Sequence, residues 1–74
     1  MTADEARASF LQILIERVRQ DHYPSATHMA LIEQTLPAQL IPDYVEILLE
    51  KVAQDRNPSI SMLRRIKQLV DTAR

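Results

Sequence analysis

Four side chains that could do chemistry together lie within eight residues of one another. Asp21, His22, Ser25 and His28 supply a carboxylate, two imidazoles and a hydroxyl, which are the groups used in nucleophilic and acid–base catalysis. The two histidines could also bind a metal ion together with Asp21. Histidine ligands on one helix usually stand four residues apart, whereas these stand six apart on either side of Pro24, so the spacing disfavours a metal site.

The elements that must position this segment form an internal repeat with a period of 34 residues. Residues 10–36 align with residues 44–70 without a gap, and 10 of the 27 aligned pairs are identical. Self-similarity at a fixed period is typical of a structural unit that occurs more than once. We therefore interpret the chain as two copies of one unit, spanning 3–36 and 42–72, within a single domain over 1–74.

The repeat also bears on the chemistry of the segment that contains Asp21. In the second copy, Arg56 replaces His22 and Met62 replaces His28, whereas the aspartate, the proline and the serine recur. The residues that both copies keep are those of turns and helix caps. We therefore expect no catalytic residue, no metal, no cofactor and no small-molecule substrate, and we do not predict an enzyme.

Each unit has the pattern of two helices joined by a short corner. Leu11, Leu14, Ile15 and Val18 recur at helical spacing, and Thr2 with Glu5 has the spacing of a capping box. The sequence predicts helices over 3–21, 25–36, 42–55 and 59–72. Because short links make successive helices antiparallel neighbours, we expect an all-α four-helix bundle built from two duplicated α-hairpins.

Prolines and serines mark the predicted corners. Proline suits the first turn of a helix, so we expect Pro24 and Pro58 to start the second and fourth helices. Ser25 is the expected cap of the second helix, and Ser59 or Asn57 that of the fourth. Pro42 suits the start of the third helix, after a connection that begins at Pro37.

The composition excludes several classes of site. Without glycine the chain has neither a phosphate-binding loop nor a dinucleotide fingerprint. Without cysteine it has no disulfide and no thiolate metal site. It contains no apolar stretch of membrane-spanning length and begins without the pattern of a signal peptide, so the expected location is cytoplasmic and no membrane partner is expected.

The fourth predicted helix carries a local excess of positive charge in a chain whose formal net charge is −1. Leu63, Ile66, Leu69 and Val70, with Met62, have the spacing of a core side. Arg64 then falls at the middle of the solvent side, flanked by Arg65 and Lys67, and these three residues could contact nucleic acid. A solvated basic face at the C-terminal half of a helix is the alternative.

The first and third predicted helices are more apolar than one bundle contact requires. Six of nine residues are nonpolar in 10–18 and again in 44–52, whereas one contact needs about three per heptad. Either these helices pack together centrally, or they present a second contact surface. We predict an intracellular protein–protein interaction module that binds a protein partner or a second copy of itself, as a homodimer, rather than a nucleic-acid-binding regulator. The predicted interface residues are Phe10, Leu11, Ile13, Tyr44, Val45 and Ile47.

Overall fold

The computed structural model describes residues 1–72, and within that range the chain forms four α-helices and no strand. They are α1 (Ala3–Gln20), α2 (Ala26–Thr35), α3 (Ile41–Gln54) and α4 (Ile60–Thr72). The chain divides into two compact units, unit 1 (Met1–Leu36) and unit 2, which begins at Pro37. The predicted all-α class is confirmed, whereas the four-helix bundle, the duplication and the single domain stay predictions.

Unit 1 begins with the predicted capping box. The backbone N–H of Glu5 donates to Thr2 Oγ1 at 3.1 Å, and the N–H of Thr2 donates to Glu5 Oε1 at 3.2 Å. This pair satisfies backbone donors that the first helical turn would otherwise leave without partners. At the other end, the N–H of Asp21 closes α1 by donating to the carbonyl of Arg17 at 3.1 Å.

The core of unit 1 lies where α1 packs against α2. Five apolar side chains are buried, at positions three or four residues apart on each helix, so that they share one side of it. Val18 and Ile32 have no exposed surface. The five buried residues are Leu11, Leu14, Val18, Met29 and Ile32.

Unit 2 starts with a 3₁₀ turn over Ala38–Leu40 that runs directly into α3. Pro42 lies at the start of α3, as the sequence predicts, because a proline in the first turn sacrifices no helical hydrogen bond. The N–H of Asp55 closes the helix by donating to the carbonyl of Val52 at 3.2 Å.

In unit 2, α3 packs against α4, and the burial is concentrated on α3. Tyr44 and Leu48 are 1% and 0% exposed, whereas Ile66 is the one residue of α4 classed as buried within its described range. Apolar side chains on α4 are therefore more often partly exposed than those on α3. The buried residues of the unit are Ile41, Tyr44, Val45, Ile47, Leu48 and Ile66.

Serine caps the second helix of each unit. Ser25 Oγ accepts from the backbone N–H groups of Thr27 and His28 at 3.2 and 3.4 Å, and Ser59 Oγ accepts from Met62 at 3.0 Å. Ser25 is in the extended conformation that an N-cap requires.

The prediction that Pro24 and Pro58 start these helices needs a correction. The helices begin at Ala26 and Ile60, two residues after each proline. A capping serine keeps non-helical backbone angles itself, so the helix can begin only after it. Of the two expected caps of α4, Ser59 makes the capping hydrogen bond, whereas the backbone N–H of Asn57 donates to Asp55 Oδ1 at 3.2 Å.

The corners of both units are built without left-handed backbone. Among residues 1–72 none has a positive φ angle and no peptide bond is cis. The residues that end α1 and α3, Asp21 and Asp55, are both extended, with φ of −80° and −94°. These corners therefore need no glycine.

Candidate interaction surface

The exposed side of α1 carries an apolar stripe. Phe10 and Ile13 are 47% and 68% exposed, the exposed Ala3 and Ala6 extend the stripe toward the N-terminus, and the exposed Arg17 follows at the same spacing. Alternating steps of three and four residues keep all five on one side of the helix. We call Ala3, Ala6, Phe10, Ile13 and Arg17 the α1 face.

Two exposed ion pairs lie near the two ends of α1. Arg7 Nη1 lies 3.4 Å from Asp4 Oδ1, and Arg19 Nε lies 3.5 Å from Glu16 Oε2. Each pair joins residues three apart in the chain. Exposed pairs of this kind contribute little to stability.

The structure separates the six predicted interface residues into two sets. Phe10 and Ile13 are exposed, as an interface requires. Leu11, Tyr44, Val45 and Ile47 are at most 8% exposed, so they are core residues in this conformation. Apolar periodicity marks both sets alike, because burial depends on neighbours that a helical pattern does not reveal.

A second group of exposed apolar side chains lies on α4. Ile60, Leu63 and Val70 are 67%, 44% and 52% exposed, and together with Lys67 they also follow three-and-four spacing. We call these four residues the α4 face. The prediction that Leu63 and Val70 lie on the core side needs correction. Ile66 is buried and Met62 and Leu69 are half-buried. The packed side of α4 therefore includes some of its apolar residues and leaves Leu63 and Val70 exposed.

The three basic residues predicted to face solvent on α4 have different surroundings. Arg64, predicted at the middle of the solvent side, is exposed, and Arg65, predicted at its flank, is half-buried. Lys67 Nζ donates to Asp71 Oδ2 at 2.7 Å, and the two side chains are 77% and 50% exposed. The hydrogen bond and the charge of Asp71 raise the pKa of Lys67. The cluster is therefore partly neutralised on its own helix.

The corner between α1 and α2 holds the residues that could do chemistry. Ser25 Oγ accepts two backbone hydrogen bonds as a cap. The rings of His22 and Tyr23 meet edge to face, with centroids 4.4 Å apart. His28 is half-buried, and its Nδ1 is buried without a hydrogen-bond partner. The contacts of Ser25 are thus those of a helix cap.

Within residues 1–72, no three side chains of the His, Cys, Asp or Glu types are grouped so that they could hold a metal ion. None of the helices there combines the length and the apolar character needed to cross a membrane.

Comparisons with known proteins give no relative for this chain. No family model, no curated protein and no solved structure matches it.

Proposed function

We propose that the chain is a small helical protein–protein interaction module that associates with a second copy of itself and catalyses no reaction. The observation that carries this proposal is the α1 face, on which Phe10 and Ile13 remain 47% and 68% exposed. Contiguous apolar side chains at a surface are typical of interaction sites. Symmetric dimers are the commonest oligomers of soluble proteins, so a second copy is the default partner.

The size of the chain supports the same proposal. A domain of this length buries only about 60% of the surface that its unfolded chain exposes. Unit 1 has five buried apolar residues and unit 2 has six as far as Thr72, so each core is thin. Association is one of the ways in which small folds gain additional buried area.

Sedimentation velocity across a range of concentrations tests self-association. We expect the sedimentation coefficient of the wild-type chain to rise with concentration and that of Ile13→Asp to stay at the monomer value. Gln12→Asp is the matched control, because Gln12 is an exposed neighbour on α1 outside the α1 face. We expect this variant to associate as the wild type does.

Two outcomes would contradict the proposal. A wild-type chain that stays monomeric at the highest concentration would overturn self-association. A monomer in which Ile13→Asp markedly lowers the free energy of unfolding would instead favour Ile13 as an internal packing residue, the alternative of centrally packed helices.

We also propose that the two units are copies of one α-hairpin. The identical aligned pairs support this, as do the corners, where Ser25 and Ser59 cap the second helix in the same way. Exchanging the exposed corner residues between units is a test. His22→Arg with Tyr23→Asn should change the free energy of unfolding by no more than about 0.5 kcal/mol, the usual range for surface substitutions. A larger loss would contradict equivalent corners.

Nucleic-acid binding is the second candidate, and the exposed guanidinium of Arg64 favours it. We rank it lower because Asp71 pairs with Lys67 and Arg65 is half-buried. Phosphate contacts make affinity fall steeply with salt. Retention on DNA or RNA that falls with salt and is lost in Arg64→Glu would favour this candidate, and the absence of such retention would remove it.

A further inference from the structure

We infer that unit 2 provides a second, salt-sensitive contact between copies of the chain, in which the exposed side of α3 in one copy packs antiparallel against the α4 face of another. This inference goes beyond the proposed function, since it concerns a surface on unit 2 and does not use the α1 face. It is carried by the spacing of exposed apolar residues on the two helices and by the opposite charges within and beside them.

The exposed side of α3 carries an apolar stripe that contains one carboxylate. Leu49 is 50% exposed, and Pro42, Glu46 and Ala53 are also exposed. The four residues follow one another by steps of four, three and four, so they lie on one side of the helix. We call Pro42, Glu46, Leu49 and Ala53 the α3 face.

The α3 face of one copy matches the α4 face of another when the two helices run antiparallel. Apolar side chains then meet apolar side chains, and the one carboxylate of the α3 face meets the one ammonium group of the α4 face. Steps of three and four on both helices keep these contacts in one seam. The facing pairs are Ala53 with Ile60, Leu49 with Leu63, Glu46 with Lys67, and Pro42 with Val70.

Glu46 and Lys67 determine which residues of the two faces meet. A charged residue in an otherwise apolar seam opposes association unless an opposite charge faces it, so it sets the register of the two helices. Lys67 Nζ donates to Asp71 Oδ2 at 2.7 Å. An ammonium group has three donors, so Lys67 can also donate to Glu46 of another copy.

Glu50 and Arg64, which are both exposed, distinguish the two possible orientations. At about 100° per residue, Glu50 lies about 70° from the centre of the α3 face and Arg64 about 80° from the centre of the α4 face, in the same rotational sense. In an antiparallel pair these flanks therefore lie on the same edge of the seam, where Glu50 comes level with Arg64. In a parallel pair they lie on opposite edges. Opposite charges that flank a seam select partner and orientation.

The charges also disfavour pairing of identical faces. An antiparallel pair of two α3 faces would bring Glu46 beside its own counterpart, and a pair of two α4 faces would bring Arg64 beside its own counterpart. Like charges brought together oppose association. The mixed pair has one such conflict, since Asp43 comes level with Asp71 on the charged edge. Asp43→Asn should therefore lower the dissociation constant of the mixed pair.

The contact depends strongly on charge, because Leu49 is the one large apolar side chain that the α3 face contributes. Exposed charges interact over a Debye length of about 8 Å at 0.15 M salt and about 30 Å at 0.01 M. We therefore expect this contact to form at low salt and to be largely screened at about 0.15 M, the condition suited to measuring association through the α1 face. Ile13→Asp at low salt isolates the contact of unit 2.

Charge reversal tests the contact by sedimentation velocity at about 0.01 M salt, with Ile13→Asp as the parent variant. We expect the parent to associate. Adding Glu46→Lys or Lys67→Glu should raise the dissociation constant by at least about tenfold, because like charges then face each other. An equimolar mixture of the two reversed variants should associate again. In the mixture the two reversals face each other, and the natural Glu46 faces the natural Lys67.

Glu16→Lys is the matched control for Glu46→Lys. It changes the net charge by the same amount at an exposed position of α1 and should leave the association of the parent unchanged. Circular dichroism of each variant checks that the helices still form.

The outcomes separate this inference from the proposed function. A parent that stays monomeric at low salt would overturn the contact of unit 2 and leave the α1 face unaffected. Association that neither reversal weakens, or that the mixture fails to restore, would also overturn it. A wild-type chain that associates only at low salt, and only with Glu46 and Lys67 intact, would support this inference and overturn the role of the α1 face.

Discussion

Aligned positions of the two units differ sharply in burial. Ile13 and Ile47 are the same residue type at equivalent positions, yet they are 68% and 7% exposed, and Phe10 and Tyr44 are 47% and 1% exposed. The second helices show the reverse, since Met29 is 5% exposed and the aligned Leu63 is 44% exposed. A shared local pattern thus fixes which side chains are apolar, whereas tertiary neighbours fix which of them are covered.

The largest expected effect concerns the aligned aromatic residues Phe10 of unit 1 and Tyr44 of unit 2. Removing a buried aromatic side chain leaves a cavity and usually costs about 3–5 kcal/mol, so Tyr44→Ala should destabilise the chain by about that amount or abolish cooperative unfolding. Phe10→Ala should cost less than about 1 kcal/mol in the monomer, because Phe10 is half exposed already. Urea denaturation at low protein concentration measures both. Equal losses in the free energy of unfolding would contradict the difference in burial between Phe10 and Tyr44.

The second helices should show a smaller effect with the opposite assignment. Met29→Ala removes a buried side chain in unit 1 and should cost about 2–3 kcal/mol. Leu63→Ala, at the aligned position of unit 2, should cost less than about 1 kcal/mol, since the side chain is 44% exposed. The same denaturation experiment checks this pair. A costlier Leu63→Ala would indicate that Leu63 is covered in solution.

The caps should not distinguish the units. Ser25 and Ser59 each accept a hydrogen bond from the backbone N–H three residues later, at 3.4 and 3.0 Å. We expect Ser25→Ala and Ser59→Ala to lower the free energy of unfolding by about 1 kcal/mol each. Ser→Gly at either position is the control and should cost only a few tenths of a kcal/mol. A clear effect at one corner only would show that the two serines have different roles.

The smallest effect concerns the ion pair of Lys67 with Asp71 in unit 2. The residue of unit 1 that aligns with Lys67 is Glu33, which has the opposite charge. Asp71 raises the pKa of Lys67 above its ordinary value of 10.5. The pair therefore adds stability below that value, and the contribution disappears as the pH rises through the raised pKa. Asp71→Asn should lower the pKa of Lys67, measured by NMR titration of its side chain, with little change in stability because both groups are exposed. An unchanged pKa would contradict the pair.

Much of the fold could be predicted because its signals are local. The capping box of Thr2 and Glu5, the serine caps and the helical spacing of Leu11, Leu14 and Val18 depend on residues a few positions apart. The predicted helix boundaries differ from the observed ones by at most one residue. The 3₁₀ turn at Ala38–Leu40 was not predicted, since three residues are too few to show a period.

The candidate surface could be predicted only in part. The sequence shows Phe10, Ile13, Tyr44 and Ile47 as apolar residues on wide helical arcs. Because Phe10 aligns with Tyr44 and Ile13 with Ile47, the sequence alone does not distinguish the exposed pair from the buried pair. On α4 the apolar residues extend beyond the side that is covered, so helical spacing predicts a core place for Leu63, which is 44% exposed. Burial of this kind depends on packing partners distant in sequence.

The corners without left-handed backbone have a practical consequence. No described corner residue needs a positive φ angle, so residues other than proline can replace the exposed His22 and Tyr23 without left-handed strain. This bend of the chain is thus a natural place to attach a fluorescent dye or to graft a short epitope, on an element that contributes nothing to the α1 face.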